Sequence, residues 1–186
     1  MVLEIIKKKL EAEKFECAIN PANSEFPLDR LIVFLALDMK ERERMLEIFG
    51  GQQQFSPELM LPEAATLPYR LHFRVKLPFK VQDTAQNQVA SLLLFLNQLI
   101  DLPGFELNEL EGQVTYRYVW ITEQTLITQN LIMSIVGAIM LNLGLFAETI
   151  ESIADGKVTF NDLLSQIVKM SETAKATSHN DEYPNL

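Results

Sequence analysis

Apolar and polar residues alternate along this chain with two periods, and the longer period predicts its helices. Apolar residues three and four positions apart, with charged residues between them, predict an amphipathic helix from Val2 to Lys14. The same spacing predicts a second helix that starts at Asp83, where Gln86 completes a capping box, and ends at Ile100. The residues predicted to face inward in this helix are Val89, Leu92, Leu93, Leu96, Leu99 and Ile100.

The shorter period predicts strands. Alternation from Tyr69 to Leu77 places apolar residues on one side of a strand and a basic ladder on the other. The ladder consists of Arg70, His72, Arg74 and Lys76. Phe15 to Ile19 alternates in the same way, and the unbroken apolar run from Leu31 to Leu37 predicts a central strand. Two further strands, Phe105 to Leu110 and Gln113 to Ile121, are predicted to form a hairpin that turns at Glu111-Gly112.

Residues 38–68, which lie between these elements, are predicted to form an inserted helix followed by a loop. Asp38 and Glu41 form a capping box before three apolar residues at helical spacing, so we predict a helix that ends at Gly50. From Gly51 to Pro68 no period is present, which leaves two interpretations: a packed surface excursion or a partner-binding loop. The candidate partner-binding residues are Phe55, Leu59, Met60 and Leu61.

The longest predicted element is a helix from Gln124 to Ala154. Its centre, Leu131 to Phe146, has no charge and is apolar on nearly every face, which predicts that it is buried. These 16 residues fall short of the roughly 20 that a bilayer span needs, so we expect burial in protein and no membrane span.

A stripe of small residues on this helix predicts self-association. Asn130, Gly137 and Gly144 recur every seven residues and share one face, where a second backbone could approach, and Met133 and Met140 repeat at the same interval. We predict that a terminal helix, Phe160 to Met170, covers one flank and that a second copy of the chain covers the other. The residues from about Ser171 to Leu186 are predicted to form a flexible polar tail.

Charge and composition narrow the function classes. The net charge of -9, with 25 acidic residues against 16 basic ones, argues against a nucleic-acid surface. A single cysteine and two histidines provide no zinc set and suggest a reducing compartment. The first residues contain Glu4 and a lysine run instead of a signal-peptide core, so we expect a cytoplasmic protein.

Candidate chemistry is sparse. The chain has no glycine-rich phosphate loop, no His-x-x-x-His pair and no Gly-x-Ser-x-Gly, so we expect no catalytic residue, metal or cofactor. Cys17 lies at an apolar position of its strand and His72 lies in the basic ladder; we interpret both as structural. The segment from Asp155 to Asp162 is similar to half of a calcium loop but lacks the oxygen ligands of the first half.

The order of the predicted elements supports a resemblance. An opening helix leads into Phe15-Glu16-Cys17-Ala18-Ile19, a strand closes on Pro78-Phe79, and a helix and a hairpin feed the long helix. Without the insertion at 38–68, this order resembles the type III secretion chaperone-like fold and, within it, the YbjN-like bacterial proteins. The resemblance implies a small, acidic, dimeric protein that binds an extended segment of a partner protein without hydrolysing ATP.

Together these patterns predict an α+β domain over residues 1–170, with an antiparallel sheet of about five strands packed with helices. Two functions of different class follow from it. The first is a non-enzymatic, homodimeric protein-binding module of chaperone-like type. The alternative is a small-molecule-binding or catalytic protein, whose pocket would be assembled from residues far apart in the sequence.

Overall fold

A six-stranded antiparallel sheet organises the fold. The structure, a computed structural model, describes residues 2–52, 67–101 and 104–179, with side chains through Met170 and at Glu172. The strands are β1 (Cys17–Asn20), β2 (Arg30–Leu37), β3 (Glu43–Gln52), β4 (Tyr69–Lys80), β5 (Phe105–Asn108) and β6 (Gln113–Thr122). They lie in the order β1-β2-β3-β4-β6-β5. The predicted α+β class is therefore confirmed, with one strand more than expected.

The additional strand replaces the helix predicted from Asp38 to Gly50, and that prediction was wrong. The Asp38 carboxylate accepts hydrogen bonds from the backbone N–H groups of Lys40 and Arg42, at 2.8 and 2.9 Å. Aspartate satisfies backbone N–H groups in this way at turns as well as at helix starts, so a capping box can also mark a hairpin. Glu41 has φ 60, a left-handed conformation that no residue inside a helix adopts.

Four helices complete the chain: α1 (Val2–Ala12), α2 (Gln86–Leu99), α3 (Gln129–Ala154) and α4 (Phe160–His179). α3 lies between α1 and α2, and these three helices cover one face of the sheet. Alternate strand residues point into the core between the layers, which accounts for the period of two in the sequence. The largest fully buried side chains there include Leu31, Leu46, Ile48, Leu71, Phe73 and Tyr116.

The edge strand β5 is held by a side chain that imitates a strand. The Asn97 carboxamide of α2 donates to the carbonyl oxygen of Phe105 at 2.8 Å and accepts from its N–H at 2.9 Å. This pair of bonds is the one a neighbouring strand would make. β5 then pairs with β6 through Asn108 and Gln113, so four residues form the loop between them instead of the predicted two-residue turn.

Several helix boundaries differ from the predicted ones: α1 ends at Ala12 instead of Lys14, and a 3₁₀ turn, Asp83–Ala85, precedes α2, which begins at Gln86 without the predicted capping bond. Leu99 is 61% exposed at the end of α2, and so does not face inward. A single 3₁₀ turn, Gln124–Leu126, precedes α3, which begins at Gln129 after its capping residue Thr128. α4 continues to His179, so the predicted end of the terminal helix at Met170 was wrong, while residues 180–186 lie outside the described ranges.

The terminal helix is attached to α2 more than to α3. The Phe160 ring lies 6.1 Å from that of Phe95, and the backbone N–H of Phe160 donates to the Gln88 side chain at 3.0 Å. Beyond its first turns, α4 exposes Ile167 and Met170. We predicted that α4 covers one flank of α3. In the structure α4 approaches only the end of α3, where Leu163 and Ile153 line the same cleft.

An ion-pair cluster joins the β2–β3 hairpin to the C-terminal part of α3. The Arg42 guanidinium donates to both carboxylate oxygens of Glu151, at 2.8 and 2.7 Å, and to Asp38 at 2.7 Å. Lys40 donates to the same Glu151 at 2.7 Å, and Arg42 also donates to the carbonyl oxygen of Pro78 at 3.0 Å. The side chains of Arg42 and Glu151 are 30% and 10% exposed, so this two-point bond is largely removed from water.

Alanine substitutions at Gly50 and Gly51 test the register of strand β3. Gly50 has φ 151, and a Cβ there would lie 2.0 Å from the carbonyl oxygen of Arg70, whereas a Cβ on Gly51 would meet nothing within 4 Å. We expect Gly50→Ala to lower the free energy of unfolding by about 2 kcal/mol or more. The adjacent Gly51→Ala variant is the matched control and should stay within about 0.5 kcal/mol of the wild type. Equal denaturation midpoints for the two variants would contradict the register of β3.

Replacing Arg42 tests the hairpin attachment. We expect Arg42→Met to lower the free energy of unfolding by about 2 to 3 kcal/mol, because it leaves the Glu151 carboxylate buried with Lys40 alone. The double variant Arg42→Met/Glu151→Met should recover much of that loss, since it removes both charges. Lys7→Met breaks the Lys7–Glu11 pair on the surface of α1 and should cause no measurable change in the free energy of unfolding. A loss for Arg42→Met no larger than for Lys7→Met would contradict the structural role of the cluster.

Acid titration tests the same cluster through Glu151. The hydrogen bonds from Arg42 lower the pKa of Glu151 below its ordinary value of 4.5, against the opposing effect of burial. A carboxylate whose folded pKa is lowered stabilises the fold above the unfolded value, and this contribution is lost as the pH falls through the folded pKa. Unfolding by denaturant from pH 7 downward should therefore show a smaller loss of stability below pH 4.5 for Glu151→Gln than for the wild type. Parallel curves would show that Glu151 has an ordinary pKa.

Candidate functional site

The side of α3 that faces away from the sheet is uncovered along much of its length, and we call this surface the α3 strip. Its members are Asn130, Leu131, Ser134, Gly137, Leu141, Gly144 and Leu145, all of which are exposed. Leu131, Leu141 and Leu145 are 39%, 62% and 59% exposed. The strip contains no charged residue and is followed by Glu148. The helix predicted to be buried all round is therefore buried on one side only.

The predicted self-association residues divide between this strip and its flank. Asn130, Gly137 and Gly144 lie on the strip, and a Cβ on either glycine would meet nothing within 4 Å. Met133 and Met140 are half-buried and pack against the core, so they do not belong to the strip. The structure thus places the small residues on a surface that a second backbone could approach.

The leucines of the strip were not among the predicted self-association residues. Leu141 lies four positions after Gly137 and three before Gly144, and Leu145 lies four after Leu141, so these leucines share the face of the glycines. The helical period alone could have identified them. The candidate partner-binding residues Phe55, Leu59, Met60 and Leu61 lie outside the described ranges.

α3 is also long and apolar enough to cross a membrane, judged by length and composition alone. Core helices of soluble proteins pass the same test. The opposite side of α3 is packed on the sheet through residues such as Ile132, Val136 and Ile139, which are fully buried. A lipid surface is therefore a competing occupant for the strip alone.

The second surface is the face of the sheet opposite α1, α2 and α3, which we call the open sheet face. Its side chains form rows across the strands. Cross-strand pairing aligns Glu47, Arg74 and Arg117 in one row, and Phe49, His72 and Val119 in the next. The row beyond these contains Gly51, Arg70 and Ile121.

Some cations of the open sheet face are neutralised by carboxylates on it. Arg74 donates through Nε to Glu47 at 2.9 Å, and Arg30 donates to the same carboxylate at 3.3 Å. Arg117 donates to Glu106 at 2.6 Å. The side chains of Arg70 and Lys76 are exposed and make no ion pair or hydrogen bond with any residue in the described ranges. The basic ladder predicted for β4 is thus present, and two of its four members have no carboxylate partner within those ranges.

An aromatic cluster occupies the middle of the open sheet face. The His72 ring stacks on Phe49 with 5.1 Å between centroids and 4° between planes, and Phe26 meets Phe49 edge-on at 5.1 Å. The guanidinium groups of Arg30 and Arg74 lie 4.6 and 5.6 Å from the Phe26 centroid. Burial lowers the pKa of His72, and the nearby charges of Arg70, Arg117 and Arg74 lower it further. The imidazole is therefore mostly neutral at pH 7, in a positive local potential.

Two shallow clefts border the stacked pair of Phe49 and His72. Each has a volume of about 350 Å³. Arg70, Gly50 and Gly51 line one cleft, and Arg117 and Thr115 line the other. The open sheet face is therefore concave on both sides of its aromatic centre.

A third concavity lies beside the ion-pair cluster. It has a volume of about 200 Å³, and its lining includes Met39, Arg44, Phe79 and Glu148 together with the Arg42–Glu151 pair. The buried Nε of Arg44 has no hydrogen-bond partner in the described part of the chain. Asp38, Lys40, Arg42 and Glu151 of this cleft bind one another, so these four side chains stabilise the fold instead of offering free acid or base groups.

Residues with potential chemistry elsewhere are engaged or isolated. Burial raises the pKa of the Cys17 thiol to about 11, and Glu11 adds to the increase, so the thiol stays protonated at neutral pH. Among the residues that the structure describes, no three His, Cys, Asp or Glu side chains form a group that could hold a metal ion. Asp155, in the segment similar to a calcium loop, binds Lys157 at 2.7 Å.

No protein-family model matches the chain, and no curated protein matches it.

Proposed function

We propose that this chain is a non-enzymatic protein-binding module that forms a homodimer through the α3 strip. The observation that carries the proposal is the strip itself, a charge-free surface in which exposed leucines flank two glycines with open space above them. Contiguous apolar surface of this kind marks interaction sites on soluble proteins. A two-fold mate would place the same strip against itself, with the glycines allowing close approach of the two helices.

The energetics are compatible with a dimer. Fully burying a leucine side chain is worth about 1.5 to 3 kcal/mol, and each copy would contribute Leu131, Leu141 and Leu145, which are now partly exposed. Association costs about 4 to 15 kcal/mol in lost freedom of motion, so the gain from both copies is of the size required. We propose a dimer that dissociates at low protein concentration.

The resemblance to the type III secretion chaperone-like fold and to YbjN-like proteins supports a partner polypeptide as the ligand. Strand β3 replaces the predicted inserted helix, while the opening helix, the later helix, the hairpin and the long helix on which the resemblance depends are retained. In this proposal the module acts in a bacterial cytoplasm and binds an extended segment of another protein. The alternative, a small-molecule or catalytic site, is less favoured because Asp38, Lys40, Arg42 and Glu151, which line the cleft, bind one another.

A leucine at position 137 tests the dimer. Gly137→Leu places a large side chain where the two helices would meet, so we expect a several-fold or greater weakening of dimerisation, about 1 to 3 kcal/mol from overpacking. The same change should not destabilise the monomer, because a Cβ at Gly137 meets nothing within 4 Å and leucine is the better helix former. Light scattering at several protein concentrations measures the mass, and thermal melting checks the fold.

Two controls make this test specific. Gly137→Ala improves helix propensity with little added bulk and should leave the dimer nearly intact. Lys8→Leu adds a leucine at an exposed position of α1, away from the strip, and should not weaken dimerisation. If the wild-type protein is monomeric at tens of micromolar and sediments with lipid vesicles, the strip binds a lipid surface instead of a second copy. A monomer without vesicle binding would leave the strip without either function.

A further inference from the structure

We propose that the open sheet face binds an extended acidic segment of a partner protein, with carboxylates on Arg70 and Lys76 and an apolar side chain beside Phe49. This inference rests on the proposed protein-binding function and specifies the chemistry of the partner. It assigns that binding to the surface opposite the α3 strip.

The cross-strand neighbours of Arg70 carry no charge. Cross-strand pairing places Gly51 on one side of it and Ile121 on the other, and neither residue can supply a carboxylate. Two rows away, Arg74 has Glu47 as its paired neighbour and is neutralised by it. Since neighbouring residues of a sheet face provide the usual partners for a charge, the fold leaves the Arg70 charge without an intramolecular anion among the described residues.

Lys76 is a second cation on the same strand whose side chain has no ion-pair partner among the described residues. It lies six residues from Arg70 on the same face of β4, a separation of about 20 Å at the usual rise of a strand. An extended polypeptide that runs along β4 would therefore meet the two cations with carboxylates about six residues apart. A single free amino acid or a phosphate ion is too small to bridge them.

The surface between the two cations is suited to a side chain. Gly51 contributes no side chain next to Arg70, which leaves the cleft of about 350 Å³ that Leu28, Phe49 and His72 also line. Phe49 and His72, which stack on each other, contribute aromatic carbon atoms to the lining of this cleft. An aromatic or aliphatic residue of the bound segment would fill this cleft while the flanking carboxylates meet the cations.

Charge complementarity selects an acidic polypeptide. The chain has a net charge of -9, yet the central strand of its open sheet face carries Arg70, Arg74 and Lys76. A nucleic acid fits this face less well, because its regularly spaced phosphates would also meet Glu47 and Glu106, and carboxylates repel phosphate. The Phe26 and Phe49 rings, which could stack on bases, already carry arginine guanidinium groups.

A fluorescence anisotropy experiment with the full chain tests this inference. The probe is a fluorescein-labelled synthetic peptide of about twelve residues, with two glutamates six residues apart and one phenylalanine between them, spaced by the strand rise. We expect Arg70→Glu/Lys76→Glu to weaken binding about tenfold or more, since each reversal replaces attraction with repulsion. Binding by the wild type should also weaken as salt is raised.

The matched control is Lys8→Glu/Lys9→Glu on α1, which changes the net charge by the same amount on another surface. It should retain most of the affinity, and a peptide with glutamine in place of both glutamates should bind weakly to every variant. Equal weakening by the two double variants, or no binding of the acidic peptide to the wild type, would overturn the inference. So would tighter binding of a labelled single-stranded oligonucleotide than of the peptide.

Two further measurements keep the outcomes distinct. Arg70→Gln/Lys76→Gln removes the charges without reversal and should weaken binding less than the glutamate variant, while thermal melting confirms that both variants fold. Light scattering should give the same mass for Arg70→Glu/Lys76→Glu as for the wild type. If the wild type is monomeric but binds the peptide through Arg70 and Lys76, the dimer proposal fails alone; if it is dimeric and binds no acidic peptide, the present inference fails alone.

Discussion

The packing of α3 against the sheet is the constraint on which the rest of the structure depends. A helix without charge over Leu131 to Phe146 must place its apolar surface out of water, and the sheet offers the matching face because alternate strand residues point toward it. Ile132, Val136, Ile139 and Leu143 are buried there. The same interface between α3 and the sheet contains one polar contact. The Asn142 amide donates to the Tyr116 hydroxyl at 3.1 Å, so the hydroxyl of this fully buried residue has a hydrogen-bond partner.

The position of α3 along the sheet is fixed at its C-terminal part. Apolar packing is not directional, so by itself it leaves a helix several similar placements along a sheet. The two-point bond between Arg42 and Glu151 is directional and links the helix to the turn that joins β2 and β3. Asp38 contributes to both the turn and the ion-pair cluster, since it accepts a hydrogen bond from a backbone N–H group of the turn and also binds Arg42. Hairpin and helix therefore stabilise each other.

This arrangement separates the two candidate binding surfaces. The α3 strip lies on the outside of the helical layer, and the open sheet face lies on the opposite side of the sheet, so the second copy and the partner segment that we propose would not compete for one surface. The chemistry of the two surfaces also differs. The strip has exposed leucines and no charge, whereas the sheet face has, among the described residues, cations without a carboxylate partner beside an aromatic centre. The two proposed partners therefore differ in kind.

The sequence by itself determined those elements whose hydrophobic period is long and regular. The alternation in β4, with its basic ladder on the outside, and the apolar faces of α1 and α2 need only the geometry of one strand or one helix, which the local sequence contains. The stripe of Asn130, Gly137 and Gly144 was likewise readable, because positions seven apart share a helix face whatever surrounds it.

Only the tertiary structure decided the segment from Asp38 to Gly50 and the environment of α3. Asp38 accepts backbone N–H groups equally well at a helix start and at a hairpin turn, and the pairing of β3 with β2 and β4 selected the turn. The side of α3 that is covered depends on residues that are distant in the chain. So does the contrast between Arg74, which has a carboxylate neighbour, and Arg70, which has none among the described residues. Cross-strand register sets those neighbours, and no local pattern in this sequence encodes it.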